Sequence, residues 1–174
     1  MLTFDPAELE AVQAAAEGAK ELTEKYFRSI LRRNMVKPRW EYRTLEYLDS
    51  SEVIEEGFAQ ICRYKERTSS PNKCGNHFYR VCIQDHNIKR AIAEQGGTIF
   101  LKPLLLYVFT HEIIHMLRFA NRVQDFHLPW RLREDEEVAV HTMTFDILRR
   151  VRIPGLDLVL KLYEPFRVRS SHSS

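Results

Sequence analysis

The sequence predicts an α+β protein, in which a small twisted sheet of about four strands packs with a long N-terminal helix and two later long helices. Apolar residues recur at helical spacing near the N-terminus and again in the second half of the chain. The segment between these two regions is rich in β-forming residues. The 174 residues suit a single domain, which we expect to span residues 1–166, with a frayed tail at 167–174.

The first element is predicted to be a helix that begins with Asp5 as its N-cap and Pro6 in the first helical position. Its Ala-rich middle favours the helical conformation, and its apolar residues continue at helical spacing as far as Ile30. The helix should end near Arg33, and Lys37-Pro38 interrupts any continuation.

The middle of the chain is predicted to contain three strands, because three segments are rich in β-forming residues: 40–45, 58–65 and 78–83. A short helical turn at 50–56 separates the first two, and the segment 67–76, with its Ser, Pro, Asn and Gly residues, is a loop. In the third strand, alternation places Phe78, Arg80 and Cys82 on one face and Tyr79, Val81 and Ile83 on the other.

The second half of the chain is predicted to be mainly helical. Asp85 or Asn87 can cap a helix that ends near Gln95, where Gly96-Gly97 breaks it. Residues 98–101 are the candidate for a fourth strand. Three more helices follow, and Pro103 opens the first of them at its first position: about 103–120, about 132–150 and 156–163.

Composition and charge argue against several classes of protein. The net charge of +2 gives no electrostatic reason to expect nucleic acid as a partner. A lysine and a proline interrupt the longest apolar run, so we expect no membrane span, and residues 1–10 show no secretory signal. The cysteines are odd in number and form no CxxC pair, which favours reduced thiols and a cytoplasmic location: Cys62, Cys74 and Cys82.

The residues His111-Glu112-Ile113-Ile114-His115 match the pattern H-E-x-x-H. Side chains four residues apart share one face of a helix, so both imidazoles can reach one metal ion. Glu112 lies beside them and can take a proton from water on that ion without being a ligand itself. The surrounding helix is otherwise nearly all apolar, and burying these three polar side chains there without partners would be costly. A Zn²⁺ site explains all three residues.

A catalytic zinc ion usually has three protein ligands and a water molecule, so a third ligand must come from outside the motif. We favour Glu137, near the start of the last long helix, where the helix dipole stabilises a carboxylate. Glu134 and Glu136 are expected to be solvated charges of that first turn. His127, in the preceding loop, is the alternative third ligand. His141 follows Glu137 by one turn and could orient a ligand or the substrate, although an ordinary buried histidine explains it equally well.

Two further residues could contribute to such a site. Arg118 continues the ligand face of the motif helix, but we expect it to pair with an acid such as Asp125 or Glu134 rather than with substrate. Tyr163 could donate a hydrogen bond to a tetrahedral intermediate, although the sequence does not single it out from the other tyrosines.

The segment Gly97–Pro103, continuing into the motif, resembles the strand and active-site helix of zincin metallopeptidases. Glu137-Val138-Ala139-Val140-His141 resembles the glutamate-bearing helix of gluzincins, among which the small bacterial ImmA/IrrE type is the nearest group. This resemblance covers residues 97–150. It implies a zincin-like fold, a peptide substrate, Glu112 as general base, and zinc held by His111, His115 and Glu137. A second resemblance, to SprT-like proteases, would recruit His127 instead.

The sequence therefore predicts a zinc-dependent peptidase, in which water activated by Glu112 hydrolyses a peptide bond. The alternative is a non-catalytic module that binds a partner and carries a structural or vestigial zinc site. An extended peptide substrate is expected to pair with an exposed strand edge, either 98–101 or 78–83. Its scissile carbonyl would then lie between Glu112 and His141.

Overall fold

The computed structural model describes residues 2–31, 35–65, 77–97, 100–121, 127 and 130–168. Within these ranges the chain is α+β, as predicted, with five α-helices and one three-stranded sheet. The elements in chain order are α1 (Pro6–Leu31), β1 (Arg39–Arg43), β2 (Ala59–Lys65), β3 (His77–Ile83), α2 (Asp85–Glu94), α3 (Leu101–Ala120), α4 (Trp130–Leu148) and α5 (Leu156–Leu162). Short 3-10 helices lie at Leu45–Tyr47, Ser50–Glu52 and Glu164–Arg167.

The start of α1 is fixed by a reciprocal pair of hydrogen bonds. The backbone N–H of Glu8 donates to Asp5 Oδ1 at 2.9 Å, and the N–H of Asp5 donates to Glu8 Oε2 at 2.8 Å. Such a capping box satisfies two amide groups that the first turn of a helix leaves without partners. The predicted beginning of the helix at Asp5 and Pro6 is confirmed.

The sheet has the strand order β1-β3-β2. β1 runs parallel to β3, and β2 runs antiparallel to it, with Ile61 opposite Val81. The predicted alternation in β3 is confirmed, because one set of its side chains lies in the hydrophobic core: Tyr79, Val81 and Ile83. The inner face of the sheet therefore packs on the helices, while Arg80 and Cys82 belong to the outer face.

α3 forms the centre of the molecule. It contacts α1, α4, α5 and β2, and most of its side chains are buried, as its apolar sequence predicts. Small residues line the buried face of α1 that packs against it: Ala11, Ala15, Ala16 and Ala19. None of the helices in the described part of the chain combines the length and apolar character needed to cross a bilayer.

Two helix starts differ from the sequence predictions. α3 begins at Leu101 after the extended residue Phe100, so Pro103 is its third residue rather than its first. A proline is tolerated there because the first amides of a helix have no intrahelical partner. α2 begins at Asp85, and neither Asp85 nor Asn87 occupies the cap position, which belongs to Gln84. Asp85 instead accepts hydrogen bonds from the backbone N–H groups of residues 4 and 45, both at 3.0 Å.

The predicted fourth strand is not found among the described residues. Its residues 98–99 lie outside them, and Leu101 is already helical. At the other end of the chain, only the first two residues of the predicted tail, 167 and 168, are among the described residues. Arg167 ends a 3-10 helix and its guanidinium lies 3.8 Å from the ring centroid of Phe145, whereas residues 169–174 lie outside the described part.

Candidate metal centre

The candidate centre begins with the two histidines of the motif. His111 and His115 lie one turn apart on the face of α3 that meets α4, and their Nε2 atoms are 3.1 Å apart. His115 is buried and His111 is half-buried. The helical spacing alone accounts for this convergence, as the sequence predicts.

Glu137 of α4 completes a triangle with the two imidazoles. Its Oε2 lies 3.3 Å from His111 Nε2, and its Oε1 lies 3.2 Å from His115 Nε2. Ligand bonds of about 2.0–2.1 Å in tetrahedral zinc place neighbouring donor atoms about 3.4 Å apart. The distance between the two imidazole nitrogens, and the distance from each of them to its nearer oxygen of Glu137, are therefore close to those that a zinc ion would require. The Glu137 side chain is 51% exposed, so solvent reaches this corner of the triangle.

The charges of the triangle suit a cation. Burial lowers the pKa of His115, but the carboxylates of Glu136 and Glu137 outweigh it and raise the pKa to about 9. Burial raises the pKa of Glu137, but hydrogen bonds to His111 and His115 hold it well below its usual range. Positive charge is thus stabilised where the three side chains meet, and a metal ion could take the place of the proton.

Glu112 lies beside the triangle on α3 and is half-buried. Burial raises the pKa of its carboxyl group and nearby Glu137 adds to this effect, whereas the neighbouring imidazoles of His111 and His115 oppose it. A carboxyl group with a raised pKa can take up and return a proton more readily near neutral pH than an ordinary exposed glutamate can.

His141 lies next to the same three residues. Its Nε2 is 4.0 Å from Glu137 Oε2, and its ring centroid is 4.4 Å from that of His111. The nearest donor atoms of His111, Glu137 and His141 all lie within 4.8 Å of one another. Burial lowers the pKa of His141 to about 4, with a further contribution from His111, so its imidazole is neutral at pH 7.

Tyr107 contacts His141 on the side of Nδ1, and the sequence predictions did not include it among the site residues. Its hydroxyl oxygen lies 2.7 Å from His141 Nδ1, and its ring stacks on that of Tyr163 at 4.2 Å. Tyr107 precedes His111 by four residues, so helical spacing could have placed it on the ligand face. Tyr163 stacks in turn beside His141, with ring centroids 5.8 Å apart.

Glu136 differs from its prediction as a solvated charge. It is 3% exposed, and both of its carboxylate oxygens accept hydrogen bonds from Arg118, each at 2.8 Å. Its Oε1 also lies 3.5 Å from His115 Nδ1. Burial raises the pKa of Glu136, but His115 and Arg118 outweigh this effect and lower the pKa to about 2.

Arg118 pairs with an acid, as predicted, but the acid is Glu136. Asp125, one of the two predicted partners, lies outside the described residues.

His127, the alternative third ligand, has a different neighbour. Its Nε2 lies 3.2 Å from a guanidinium nitrogen of Arg63 in β2, and its side chain is exposed. His127 belongs to neither of the groups of potential ligand atoms that lie close together in the described part of the chain. The structure therefore brings together His111, His115 and Glu137, with His141 beside them.

The predicted substrate-binding edges need correction. The segment 78–83 is in the central strand, which pairs with β1 on one side and β2 on the other, so its backbone cannot accept a further strand. The other candidate, 98–101, is described only at its last two residues, neither of which is in a strand. The described sheet has two edge strands, β1 and β2, and both contact α3, β2 more extensively than β1.

Comparison of the chain with protein families, with curated proteins and with solved structures finds no match.

Proposed function

We propose that this chain is a zinc-dependent peptidase with a zincin-like arrangement of its active-site helix. The observation that supports the proposal most strongly is the triangle of His111, His115 and Glu137, in which the imidazole nitrogens are 3.1 Å apart and each lies 3.2–3.3 Å from one carboxylate oxygen. Two of these ligands come from one helix and the third from the next, and Glu112 lies beside them. Three protein ligands leave a position for water, as a catalytic site requires.

Bound zinc would polarise the scissile carbonyl group and acidify the attacking water. Glu112 would take the proton from that water and then return it to the leaving amine, so the same group serves as a base in the first step and as an acid in the second. Glu136, which is fixed by Arg118, places a carboxylate oxygen 3.5 Å from Nδ1 of His115, whose Nε2 is the atom nearest to Glu137.

His141 contributes a hydrogen-bond donor in this proposal. The hydroxyl oxygen of Tyr107 lies 2.7 Å from His141 Nδ1. This distance suits an O–H···N hydrogen bond in which the phenol donates to Nδ1. The remaining proton of the neutral imidazole is then on Nε2, which is the atom nearest to Glu137. From there it can donate to the substrate oxygen as negative charge develops on it.

We place an extended peptide substrate along the open edge of β2, because strand pairing satisfies backbone groups independently of sequence. Matched peptides that carry N-methyl groups at successive positions test this arrangement. Methylation should lower cleavage at alternate positions, because only alternate amides face the strand. Equal tolerance at every position would contradict pairing with β2.

The second candidate function is a non-catalytic module that binds a partner and contains a structural or vestigial zinc site. The proximity of His141 supports it, because the opposite tautomer would direct a lone pair of Nε2 toward the cluster. Four protein ligands would then close the site to water. Cobalt substitution distinguishes the two functions. If His141 is a ligand, His141→Ala removes one nitrogen from the cobalt ion and changes the visible absorption spectrum. If His141 is only a hydrogen-bond donor outside the coordination sphere, the same substitution leaves the spectrum nearly unchanged.

The main test combines metal analysis with a peptidase assay. His111→Ala should lose one equivalent of zinc relative to the unsubstituted protein, and Glu137→Ala should bind zinc at least about tenfold more weakly. His127→Ala is the matched control and should retain zinc. Glu112→Gln should retain zinc but lose hydrolysis of a peptide library by about a hundredfold or more. Failure of His111→Ala to lose this equivalent of zinc, or full activity in Glu112→Gln, would refute the proposal.

A further inference from the structure

A second group of potential ligands lies on the outer face of the sheet, away from the histidine cluster. It consists of Glu52, from the short 3-10 helix that covers this face, Cys62 of β2 and Cys82 of β3. The two sulfur atoms are 3.8 Å apart, and the nearest carboxylate oxygen lies within 4.8 Å of both. Cys82 and Glu52 are buried, whereas Cys62 is half-buried and gives access from solvent.

The strand register argues against a disulfide bond between the two cysteines. Cys62 lies opposite Arg80, and Cys82 lies opposite Gln60, so the two cysteines are diagonal neighbours. Diagonal positions place Cα atoms about 7–8 Å apart. A disulfide bond usually requires Cα atoms within about 4.4–6.8 Å, so it would need the strands to move.

The same spacing suits a bridging metal ion. Zinc–sulfur bonds of about 2.3 Å at a tetrahedral angle separate two sulfur atoms by about 3.8 Å, which is the distance found here. Glu52 accepts hydrogen bonds from Tyr64, Arg80 and the backbone N–H of Asp49, and these contacts fix the carboxylate beside the thiols. A carboxylate offers about four lone-pair positions, so a ligand position toward Cys82 remains.

The local charge also permits binding. A divalent cation would replace the two thiol protons, which pass to the buffer, so the charge of the group does not change. Arg80 balances the carboxylate of Glu52 at 2.8 Å. The exchange therefore leaves no uncompensated charge in the sheet.

We propose that Cys62, Cys82 and Glu52 form a second metal site, selective for thiolate-preferring divalent ions such as zinc or cadmium. This site is independent of the histidine cluster and of the peptidase proposal. A water molecule on the side of half-buried Cys62 would complete its tetrahedron.

Cadmium is the probe, because thiolate ligands give it an ultraviolet charge-transfer band that histidine and carboxylate ligands do not give. The full chain carrying His111→Ala should develop this band with one equivalent of Cd²⁺. Cys62→Ala in the same background should lose at least half of the band and bind at least tenfold more weakly. Cys74→Ser in the same background is the matched control, and it should bind Cd²⁺ as tightly as the His111→Ala protein does.

A second measurement covers the case in which a cysteine variant folds poorly. Cd²⁺ should raise the melting temperature of the His111→Ala protein and of its Cys74→Ser derivative. Glu52→Gln, which keeps both thiols, should weaken this stabilisation. Absence of the band in the parent, its full retention in Cys62→Ala, or its loss in Cys74→Ser would overturn the second site. None of these outcomes bears on the one equivalent of zinc that His111→Ala should lose, so the two proposals fail separately.

Discussion

At the scale of single residues, the tautomer of His141 determines what the candidate centre can do. An Nε2–H group beside Glu137 makes His141 a donor, whereas an Nε2 lone pair makes it a ligand. The hydroxyl group of Tyr107, 2.7 Å from Nδ1, can donate to that atom or accept from it. In the proposed peptidase it donates, and a buried hydroxyl group on α3 thereby controls the tautomer of a side chain on α4.

Tyr107→Phe should remove this control while preserving the stacked ring. We expect kcat/KM for peptide cleavage to fall about tenfold, as is typical when a group that orients an active-site residue is lost. Zinc content should be unchanged, because none of the three proposed ligands is altered. Steady-state kinetics and metal analysis of the same preparation measure both quantities.

Tyr163→Phe is the matched control for this prediction. Tyr163 belongs to the same aromatic stack, but the structure shows its ring rather than its hydroxyl group next to His141. Its variant should therefore retain most of the activity. If Tyr163→Phe were impaired and Tyr107→Phe were not, Tyr163 would be the oxyanion donor and the role given to Tyr107 would be wrong.

At the scale of elements, the candidate centre is the polar part of the α3–α4 contact. α3 supplies His111, His115 and Arg118, and α4 supplies Glu136 and Glu137. Arg118 meets Glu136 across the two helices, and His115, whose pKa is raised, lies close to both Glu136 and Glu137, so these buried groups have partners of opposite charge. α5 then packs on α3 and leads the chain to Tyr163, which stacks on Tyr107.

Gly155 permits this approach of α5 to the start of α3. Its φ is +82°, and a Cβ atom there would lie 2.7 Å from the Phe100 ring. Gly155→Ala should cost about 1–2 kcal/mol for the left-handed backbone and more for displacing the ring. Gly96→Ala is the control, because Gly96 has φ +61° but open space around its Cβ position. Urea unfolding should show a larger loss for Gly155→Ala; equal losses would contradict the importance of the contact.

At the scale of the whole molecule, the two faces of the sheet are stabilised differently. The inner face packs apolar side chains against the helices, whereas Arg80 on the outer face lies between two carboxylates. Glu52 is 2% exposed and Glu41 is 39% exposed on its side chain. Burial raises the pKa of Glu52, but Tyr64, the backbone of Asp49, and Arg80 outweigh it and lower the pKa to about 2.

This lowered pKa predicts how stability depends on pH. The contribution of Glu52 is fully present above its unfolded-state pKa of about 4.5 and is lost as the pH falls toward about 2. Glu52→Gln should reduce stability at pH 7 by about 2–4 kcal/mol, because Arg80 loses its buried partner. The variant should also flatten the decline in unfolding free energy below pH 4.5. Glu41→Gln should keep that decline, and chemical unfolding at several pH values compares the two.

The sequence by itself determined the features that depend on short-range chemistry. Asp5 and Glu8 specify the start of α1, alternation specifies the two faces of β3, and the four-residue spacing brings His111 and His115 together. Each depends on residues within one or two turns, whose geometry is set by the helix or the strand itself.

Only the tertiary structure decided which long-range neighbours these features meet. The strand order makes β3 central, so it cannot be the substrate edge, because both of its sides are already paired. The rotation of α4 about its axis directs Glu136 to Arg118 and Glu137 to the two imidazoles. Adjacent helical residues point about 100° apart, and no local pattern fixes which of them faces a second helix. That choice comes from the packing of whole elements, which also places Tyr107 against His141 and Cys62 against Cys82.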